Sequence, residues 1–211
     1  KIVLDCPCYT GAYTEIFLDK GAKYVIGSDI VQEQINIANQ RMEAVYPKYY
    51  KKPYSFITHD SKIPKQLINN FVVDIAIILH LFCFADNYEV LLNMVKFVYM
   101  NLKDGGKIVS FHCVPIYEGK EKEFEKLNGT ITKYDKYKDE NNPGYLVNRL
   151  CNTFNIERFI YPNEIVEKAL KKIGFKNIKY IPYQIDPNTD SRNLLERHIS
   201  TCDYYYLEAT K

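Results

Sequence analysis

The first thirty residues constrain the fold more than any other part of this chain. An apolar run, Lys1–Leu4, ends in Asp5, and a tight loop then leads through a helix-like segment to a second apolar run, Tyr24–Ile26. Asp29 follows that second run, 18 residues after Gly11. In nucleotide-binding α/β sheets, an acid at this position accepts hydrogen bonds from both hydroxyls of a ribose. The segment therefore predicts one half of a nucleotide-binding α/β sheet.

Strand-like and helix-like segments continue to alternate after Asp29, which favours one parallel sheet with right-handed crossovers. The later predicted strands are Tyr54–Ile57, Phe71–Leu79, Lys107–Val114, Lys176–Tyr183 and Asp203–Thr210, with a turn at Lys103–Gly106. Apolar spacing predicts helices with buried stripes at Ile30, Ile35, Ala38, Met42 and Val45, at Leu91, Val95, Val98 and Leu102, and at Ile165, Ala169, Leu170 and Ile173. Between the last two strands only a short helix is expected, at Leu194–Ile199. These two strands should therefore pair antiparallel.

Residues 115–160 interrupt the alternation. This stretch is charged, is rich in tyrosine and asparagine, and contains Gly119, Gly129 and Pro143-Gly144, so it predicts turns and short irregular strands. We expect it to be a cap or lid inserted at the carboxyl edge of the sheet, with a disordered excursion as the alternative. Residues 1–211 then form a single domain, which their number allows. Because the chain begins with Lys1 rather than methionine, we expect a further N-terminal segment.

Composition argues against several classes of function. The chain is 46% hydrophobic and 26% charged, with a net charge of +2 and no dense basic run, so a nucleic-acid partner is not expected. The longest apolar run, Phe71–Phe84, is interrupted by Asp74 and His80 and is shorter than the ~20 residues of a membrane helix. Without a leader pattern, the expected location is the cytoplasm.

Six cysteines lie in apolar, strand-like runs: Cys6, Cys8, Cys83, Cys113, Cys151 and Cys202. A chain of this size does not need disulfides for stability, so we expect reduced, buried thiols. The Cys6-x-Cys8 pair is too closely spaced, and lacks the two further ligands, for a typical zinc site. No metal is therefore expected.

Several motifs resemble those of the class I S-adenosylmethionine-dependent methyltransferases, over most of the chain. Leu4-Asp5-x-x-Cys8-x-x-Gly11 looks like the first motif, V-L-D-x-G-C-G-x-G, and Val25–Ile30 looks like the second, V-x-G-x-D-x. Leu102–Gly106 resembles the L-K-P-G-G turn that precedes the fifth strand. Further stretches are similar to the small toxoflavin-synthase-like methyltransferases: Gly11–Thr14, Leu79-His80, Tyr161-Pro162, Gly174-Phe175 and Leu207–Thr210.

The resemblance implies a Rossmann-like α/β fold, with a seven-stranded sheet of order 3-2-1-4-5-7-6, strand 7 antiparallel, and flanking helices. It implies methyl transfer from S-adenosylmethionine to a small-molecule acceptor by in-line displacement. Asp5 would order the first loop, and Gly11 would let the backbone approach the methionine part of the cofactor. Asp29 would bind the ribose. The other candidate cofactor contacts are Cys8, Tyr9, Tyr13, Ile30, Asp60, Ser61 and Leu79, of which Ile30, Asp60 and Ser61 would meet the adenine.

Two histidines are candidates for a catalytic base. A base is needed only if the acceptor starts protonated, and His80 and His112 end predicted strands at the edge where the acceptor would bind. The alternative is that each is a hydrogen-bonded histidine at a strand terminus. Tyrosines of the insertion, Tyr117, Tyr134, Tyr137 and Tyr145, are candidates for stacking on a planar acceptor.

The first motif departs from the family at Pro7 and Tyr9, which replace glycines. Proline fixes φ and removes an N–H, and a Cβ at Tyr9 is expected to bar positive φ and close approach of a ligand. Either the loop shifts and Tyr9 packs on the ligand, or the pocket is filled. The second case would leave a catalytically silent binding domain. A nicotinamide-dependent oxidoreductase is disfavoured because the loop lacks G-x-G-x-x-G.

Overall fold

The structure is a computed structural model that describes residues 1–47, 52–116, 122, 130–133, 145–151, 154–182 and 202–211. The strands in these ranges are β1 (Ile2–Cys6), β2 (Tyr24–Asp29), β3 (Tyr54–Thr58), β4 (Val73–Leu79), β5 (Leu102–Ile116), β6 (Thr130–Lys133), β7 (Tyr145–Cys151), β8 (Phe154–Ile160), β9 (Lys176–Pro182) and β10 (Cys202–Thr210). The helices are α1 (Ala12–Asp19), α2 (Gln32–Val45), a 3₁₀ turn (Phe82–Phe84), α3 (Tyr88–Asn101) and α4 (Asn163–Ile173).

Seven of these strands form one sheet, in the order β3-β2-β1-β4-β5-β10-β9. Strand β10 runs antiparallel to both of its neighbours, and the other pairings within this sheet are parallel. Counted within this sheet, the order is 3-2-1-4-5-7-6, so the predicted topology and the antiparallel seventh strand are confirmed. Asp5 in β1 pairs with Gly27 in β2 and Ile77 in β4, which brings the carboxyl ends of the central strands together.

One face of the sheet packs against α3 and α4 to form the main core. Leu4, Ala76 and Ile78 face this layer and are essentially inaccessible to solvent. The predicted stripe is buried at Leu91, Val95 and Val98 of α3 and at Leu102, which lies just beyond the helix and begins β5. On α4, Ala169 and Leu170 are buried, and Ile165 and Ile173 are partly buried against the same core. Each fully buried aliphatic side chain contributes about 1.5–3 kcal/mol through the hydrophobic effect.

The opposite face carries α1 and α2. On α2 the predicted stripe is correct for Ile35, Ala38 and Met42, which are buried, and wrong for Ile30 and Val45, which are 58% and 44% exposed. Ile30 lies in the connection before the helix begins, so the helical periodicity does not apply to it.

Two boundaries near β4 and β5 differ from the sequence prediction. Strand β4 begins at Val73 rather than Phe71, and the predicted turn at Lys103–Gly106 belongs to β5, which begins at Leu102. The pairing of β4 with β5 shifts register between Val73 and Ile75. Gly105, at φ 72°, provides the left-handed backbone that this irregularity uses.

Strands β6, β7 and β8 form a second, antiparallel sheet within the predicted insertion. For residues 145–160 the prediction of irregular structure is wrong, since β7 and β8 have seven residues each and pair from Tyr145–Ile160 to Cys151–Phe154. Two residues, 152–153, separate the strands, which is a hairpin spacing. Charged residues within both runs obscured this hairpin in the sequence.

Among the described residues no helix is long and apolar enough to cross a membrane. The segment predicted as a short helix, Leu194–Ile199, lies outside the described residues.

Candidate functional site

The loop between β1 and α1 shapes the carboxyl edge of the sheet. The Cys6–Pro7 peptide bond is cis, and Tyr9 adopts a left-handed conformation with φ 49°. The expectation that a Cβ at Tyr9 bars positive φ is therefore wrong. The Tyr9 side chain is 61% exposed, and its backbone N–H donates to Asp29 Oδ2 at 3.0 Å. That bond and the open surroundings offset a conformational cost of about 1–2 kcal/mol.

Asp29, at the end of β2, ties this loop to the next connection. Its side chain is only 7% exposed, and its Oδ1 accepts a hydrogen bond from the backbone N–H of Val31 at 3.0 Å. The two carboxylate oxygens thus each hold one backbone N–H, from Tyr9 and from Val31. Because a carboxylate oxygen accepts two hydrogen bonds, each retains capacity for one further donor.

Asp5 lies beneath the loop and does not line a described cavity. Its Oδ2 accepts a hydrogen bond from Thr14 Oγ1 in α1 at 2.6 Å. Burial raises the pKa of this carboxyl to about 7, despite the opposing hydrogen bond from Thr14. Cys8 is also buried, and its backbone N–H donates to the Ser28 carbonyl at 2.9 Å. Both predicted residues therefore lie behind the surface that a ligand would touch.

Gly11 also lies in this layer. At φ 78° it precedes the first residue of α1, and a Cβ built on it would stand 3.1 Å from Ala38 Cβ and 3.1 Å from Phe56 Cζ. The glycine thus allows α1 to pack closely on α2 and β3. Its predicted contact with the methionine part of a cofactor stays a prediction.

A cavity of about 400 Å³ opens at the carboxyl ends of β1, β2 and β3. Five predicted cofactor contacts line it together: Tyr9, Asp29, Ile30, Asp60 and Ser61. The rest of its wall is formed by Cys6, Pro7, Val31, Gln34, His59, Lys62, Leu81, Phe84 and Met94. The carboxylates of Asp29 and Asp60 therefore both lie at this mostly apolar cavity.

Asp60 and His59 are held by the turn that follows β3. Asp60 Oδ1 accepts from the backbone N–H of Lys62 at 2.9 Å. His59 Nε2 lies 2.9 Å from the Ile63 carbonyl oxygen, and its ring centroid lies 5.1 Å from that of Phe97. Burial lowers the pKa of His59, so its ring is neutral near pH 7 and its Nε2–H donates to that carbonyl.

A second cavity, of about 370 Å³, contains the other predicted residues near β4. Tyr13, Leu79 and His80 line it together with Phe17, Ile77, Val109, Phe111 and Tyr206. His80 has φ 60°, and its ring lies edge-on to Phe111 with centroids 4.9 Å apart. The wall is aromatic and aliphatic apart from His80. This cavity suits an apolar, planar ligand better than a charged one.

The second histidine, His112, lies in β5 opposite Tyr205 of β10. Its side chain, like those of Tyr117, Tyr134, Tyr137 and Tyr145, is outside the described part of the structure. The catalytic roles of His80 and His112 stay predictions.

Among the described cysteines, the prediction of a buried thiol is confirmed for Cys6 and Cys8 and is wrong for Cys83. Cys6 and Cys8 are free and buried, and Cys83 is free and partly buried. Burial raises the pKa of Cys6 and Cys8 far above the ordinary thiol range. Among the described residues, no three His, Cys, Asp or Glu side chains come together in a group that would hold a metal ion.

Sequence reasoning missed several lining residues, of which Gln34 and Met94 illustrate two cases. Gln34 lies in the first turn of α2, directly after the Asp29 connection, so its position offered a usable indication. Its Oε1 is buried without a hydrogen-bond partner among the described residues. Met94 comes from the middle of α3 and looked like an ordinary core residue. Only the packing of α3 against the sheet places it at the cavity.

The seven-strand order and the helices on both faces match solved structures of S-adenosylmethionine-dependent methyltransferases, so the chain has their Rossmann-like fold. The methyltransferase from Clostridium acetobutylicum is 18% identical, over 99% of this chain and 83% of its own, with a TM-score of 0.64. The glycopeptide N-methyltransferase MtfA, solved with S-adenosylhomocysteine, is 15% identical over 99% of this chain and 81% of its own, with a TM-score of 0.64.

A structure from Listeria monocytogenes described as such a methyltransferase is 15% identical, over 100% of this chain and 90% of its own, with a TM-score of 0.65. No family model and no curated protein matches the sequence. These likenesses concern the fold, and the similarity to toxoflavin-synthase-like enzymes stays a prediction.

Proposed function

We propose that this chain transfers a methyl group from S-adenosylmethionine to a small-molecule acceptor. The observation that carries the proposal is the meeting of Asp29 and Asp60 at one mostly apolar cavity of about 400 Å³. Structures with this fold support it, since MtfA was solved with S-adenosylhomocysteine and magnesium protoporphyrin IX methyltransferase from Synechocystis with S-adenosylmethionine.

The residues around the first cavity fit the adenosine part of such a cofactor. Asp29 retains acceptor capacity for two ribose hydroxyls, and Asp60 with the Ser61 backbone would meet the adenine amino edge. Ile30 offers an exposed apolar surface to a purine face. The buried, unpartnered Oε1 of Gln34 supplies one more acceptor for a ligand donor. The volume lies within the usual range for small-molecule sites.

When bound, the cofactor supplies an electrophilic methyl group on a sulfonium. The chain's own residues bind it, orient the acceptor and exclude water, and positioning alone supplies ~7–11 kcal/mol of barrier reduction in favourable cases. Leu79 and Phe111 provide the water-excluding wall near the end of β4. His80 is the candidate base there if the acceptor begins protonated.

The alternative, a catalytically silent binding domain, rests on Pro7 and Tyr9. In the structure these two residues border the first cavity instead of filling it, and Tyr9 binds Asp29 through its backbone. This arrangement supports a cofactor-binding role more than loss of the site.

The direct test is binding of S-adenosylhomocysteine, measured by calorimetry and by thermal unfolding. At 100 times its dissociation constant the ligand should add ~2.7 kcal/mol to the free energy of unfolding. Absence of binding to the folded protein at millimolar ligand would contradict the proposal.

The ribose role is tested with Asp29→Asn, which keeps an acceptor oxygen for the loop but removes the charge. We expect affinity for S-adenosylhomocysteine to fall about tenfold or more, as for loss of a charged hydrogen-bond partner. Asp104→Ala, at a fully exposed acid, is the control and should bind normally. Unchanged affinity in the Asp29 variant would refute the ribose role.

A further inference from the structure

The second cavity lies on the face of the sheet that carries α1. Ile78 of β4 faces the opposite layer, with α3 and α4, so the alternation of the strand turns Leu79 toward α1. Leu79 lies opposite Phe111 of β5, which in turn lies opposite Tyr206 of β10. These three side chains form one row across the sheet and give the cavity its floor.

Aromatic rings make up much of this cavity's lining. On the floor, the ring centre of Phe111 lies 5.4 Å from that of Tyr206 and 4.9 Å from that of His80. On the side, α1 contributes Tyr13 and Phe17, whose rings are stacked with centroids 6.2 Å apart. Five of the eight described lining residues therefore carry flat rings. An aromatic ligand gains edge-to-face or offset contacts with such rings, beyond the effect of burying its surface.

The second cavity adjoins the first at two points of the chain. His80 lines the second cavity, and the next residue, Leu81, lines the first. Consecutive Cα atoms are only about 3.8 Å apart, so the end of β4 is a shared border. Tyr9 of the first cavity and Tyr13 of the second lie on either side of the turn that starts α1. Ligands in the two cavities would therefore be close neighbours.

The predicted cofactor contacts divide between these two cavities. Asp29 and Asp60, expected at the ribose and the adenine, line the first cavity. Tyr13 and Leu79 line the second. An acceptor has to reach the sulfonium from outside the adenosine site, and the adjoining volume of about 370 Å³ has room for a small ring system.

We propose that the second cavity binds the methyl acceptor, and that the acceptor is a planar aromatic compound. In this assignment Tyr13 contacts the acceptor and not the cofactor, and Phe111 supports the face of the acceptor's ring. The inference rests on the proposed methyl transfer for its biological meaning. The aromatic site itself is testable without turnover.

The test uses 2-naphthol as the probe and decahydro-2-naphthol, its saturated and non-planar counterpart, as the match. Calorimetry on the full chain, with and without S-adenosylhomocysteine, should show 2-naphthol binding about three- to tenfold tighter. The saturated compound has the same hydroxyl and the same carbon skeleton, so burial of apolar surface alone would favour it at least equally. 2-Naphthol should also bind while S-adenosylhomocysteine is bound, because the two ligands occupy different cavities.

Leucine substitutions show whether the rings of this cavity cause the preference. Tyr13→Leu and Phe111→Leu should each reduce it, because each replaces a ring with an aliphatic chain. Tyr13 is 53% exposed, so its variant tests the inference even if Phe111→Leu fails to fold. Tyr46→Leu is the matched control, since it removes a ring at the end of α2 that lines neither cavity, and it should retain the preference.

Three outcomes would overturn the inference: binding of decahydro-2-naphthol as tight as that of 2-naphthol, an unchanged preference in the Tyr13 and Phe111 variants, or displacement of S-adenosylhomocysteine by 2-naphthol. Binding of 2-naphthol through Tyr13 with no binding of S-adenosylhomocysteine would refute the proposed function and leave the aromatic site standing. Binding of S-adenosylhomocysteine without 2-naphthol would do the reverse.

Discussion

Asp5 is the residue whose protonation most directly affects this fold. It is 1% exposed and holds Thr14 in the first turn of α1. Burial raises its pKa from 3.8 to about 7, and the nearby charge of Asp29 adds to the rise. In the folded protein this carboxyl is therefore partly protonated at neutral pH, whereas in the unfolded chain it is ionised.

This difference predicts a pH-dependent stability. The folded state binds a proton more tightly than the unfolded state, so the contribution of Asp5 is full below about pH 4 and is lost as pH rises to about 7, by roughly 4 kcal/mol at most. Asp5→Asn cannot ionise. We expect its free energy of unfolding, relative to the original chain, to rise between pH 5 and pH 8 in urea titrations. Parallel pH profiles for the two proteins would contradict the shifted pKa.

Tyr9 shows why some residue-level features of the site escaped sequence reasoning. The local rule correctly identifies tyrosine as unfavourable at positive φ. It does not include the bond from the Tyr9 N–H to Asp29 or the open space around the ring. The position of Asp29 was predictable, because it ends β2 at the carboxyl edge of the sheet.

Helix α1 is held at both ends by glycines in left-handed conformations, for different reasons. Gly11, at φ 78°, precedes the helix in tight packing with Ala38 and Phe56. Gly21, at φ 89°, follows it in open space. There the N–H of Gly21 donates to Leu18 O, and the next N–H donates to Phe17 O, as in a Schellman motif.

The two glycines form a matched pair for mutation. Gly21→Ala should cost about 1 kcal/mol, because only the backbone conformation is strained. Gly11→Ala should cost about 1–3 kcal/mol more, because its Cβ would press on Ala38 and Phe56 at 3.1 Å. Chemical unfolding of both variants measures the difference. Equal losses would show that packing at Gly11 is looser than the structure indicates.

At the scale of elements, the sequence predicted the features that the spacing of apolar residues determines. The buried stripe of α3, for example, follows from the spacing of its apolar residues. Strands β7 and β8 were missed because charged residues interrupt the apolar alternation of both runs, and the contacts of β8 with the 3₁₀ turn and β5 leave no pattern in the sequence.

At the scale of the molecule, the parallel order of strands assembles the candidate site. Asp29 and Asp60 are distant in sequence, yet both follow strands that end at the same edge, so their meeting was predictable. Phe84 was not predictable in this way, because its position at the cavity depends on how the 3₁₀ turn packs at that edge.

The topology also makes the last strand essential to the sheet. Strand β10 lies between β5 and β9, and the Lys211 backbone exchanges hydrogen bonds with the Gly105–Gly106 segment at 3.1 and 2.9 Å. A chain ending at residue 201 would leave β5 and β9 unpaired along this edge. We expect it to lose cooperative urea unfolding and its near-ultraviolet circular dichroism, because exposed backbone and apolar surface would replace the strand.

Lys211→Ala provides the matched control for this truncation, since it keeps β10 and removes one side chain. Its Nζ donates to the Leu102 carbonyl at 2.7 Å and lies 4.6 Å from the centre of the Tyr99 ring. The variant should unfold cooperatively with a loss of about 1–2 kcal/mol. If the truncated chain also unfolded cooperatively with only that loss, the first six strands of the sheet would suffice for the fold. Strand β10 would then be an addition to the sheet and not the element that joins β9 to it.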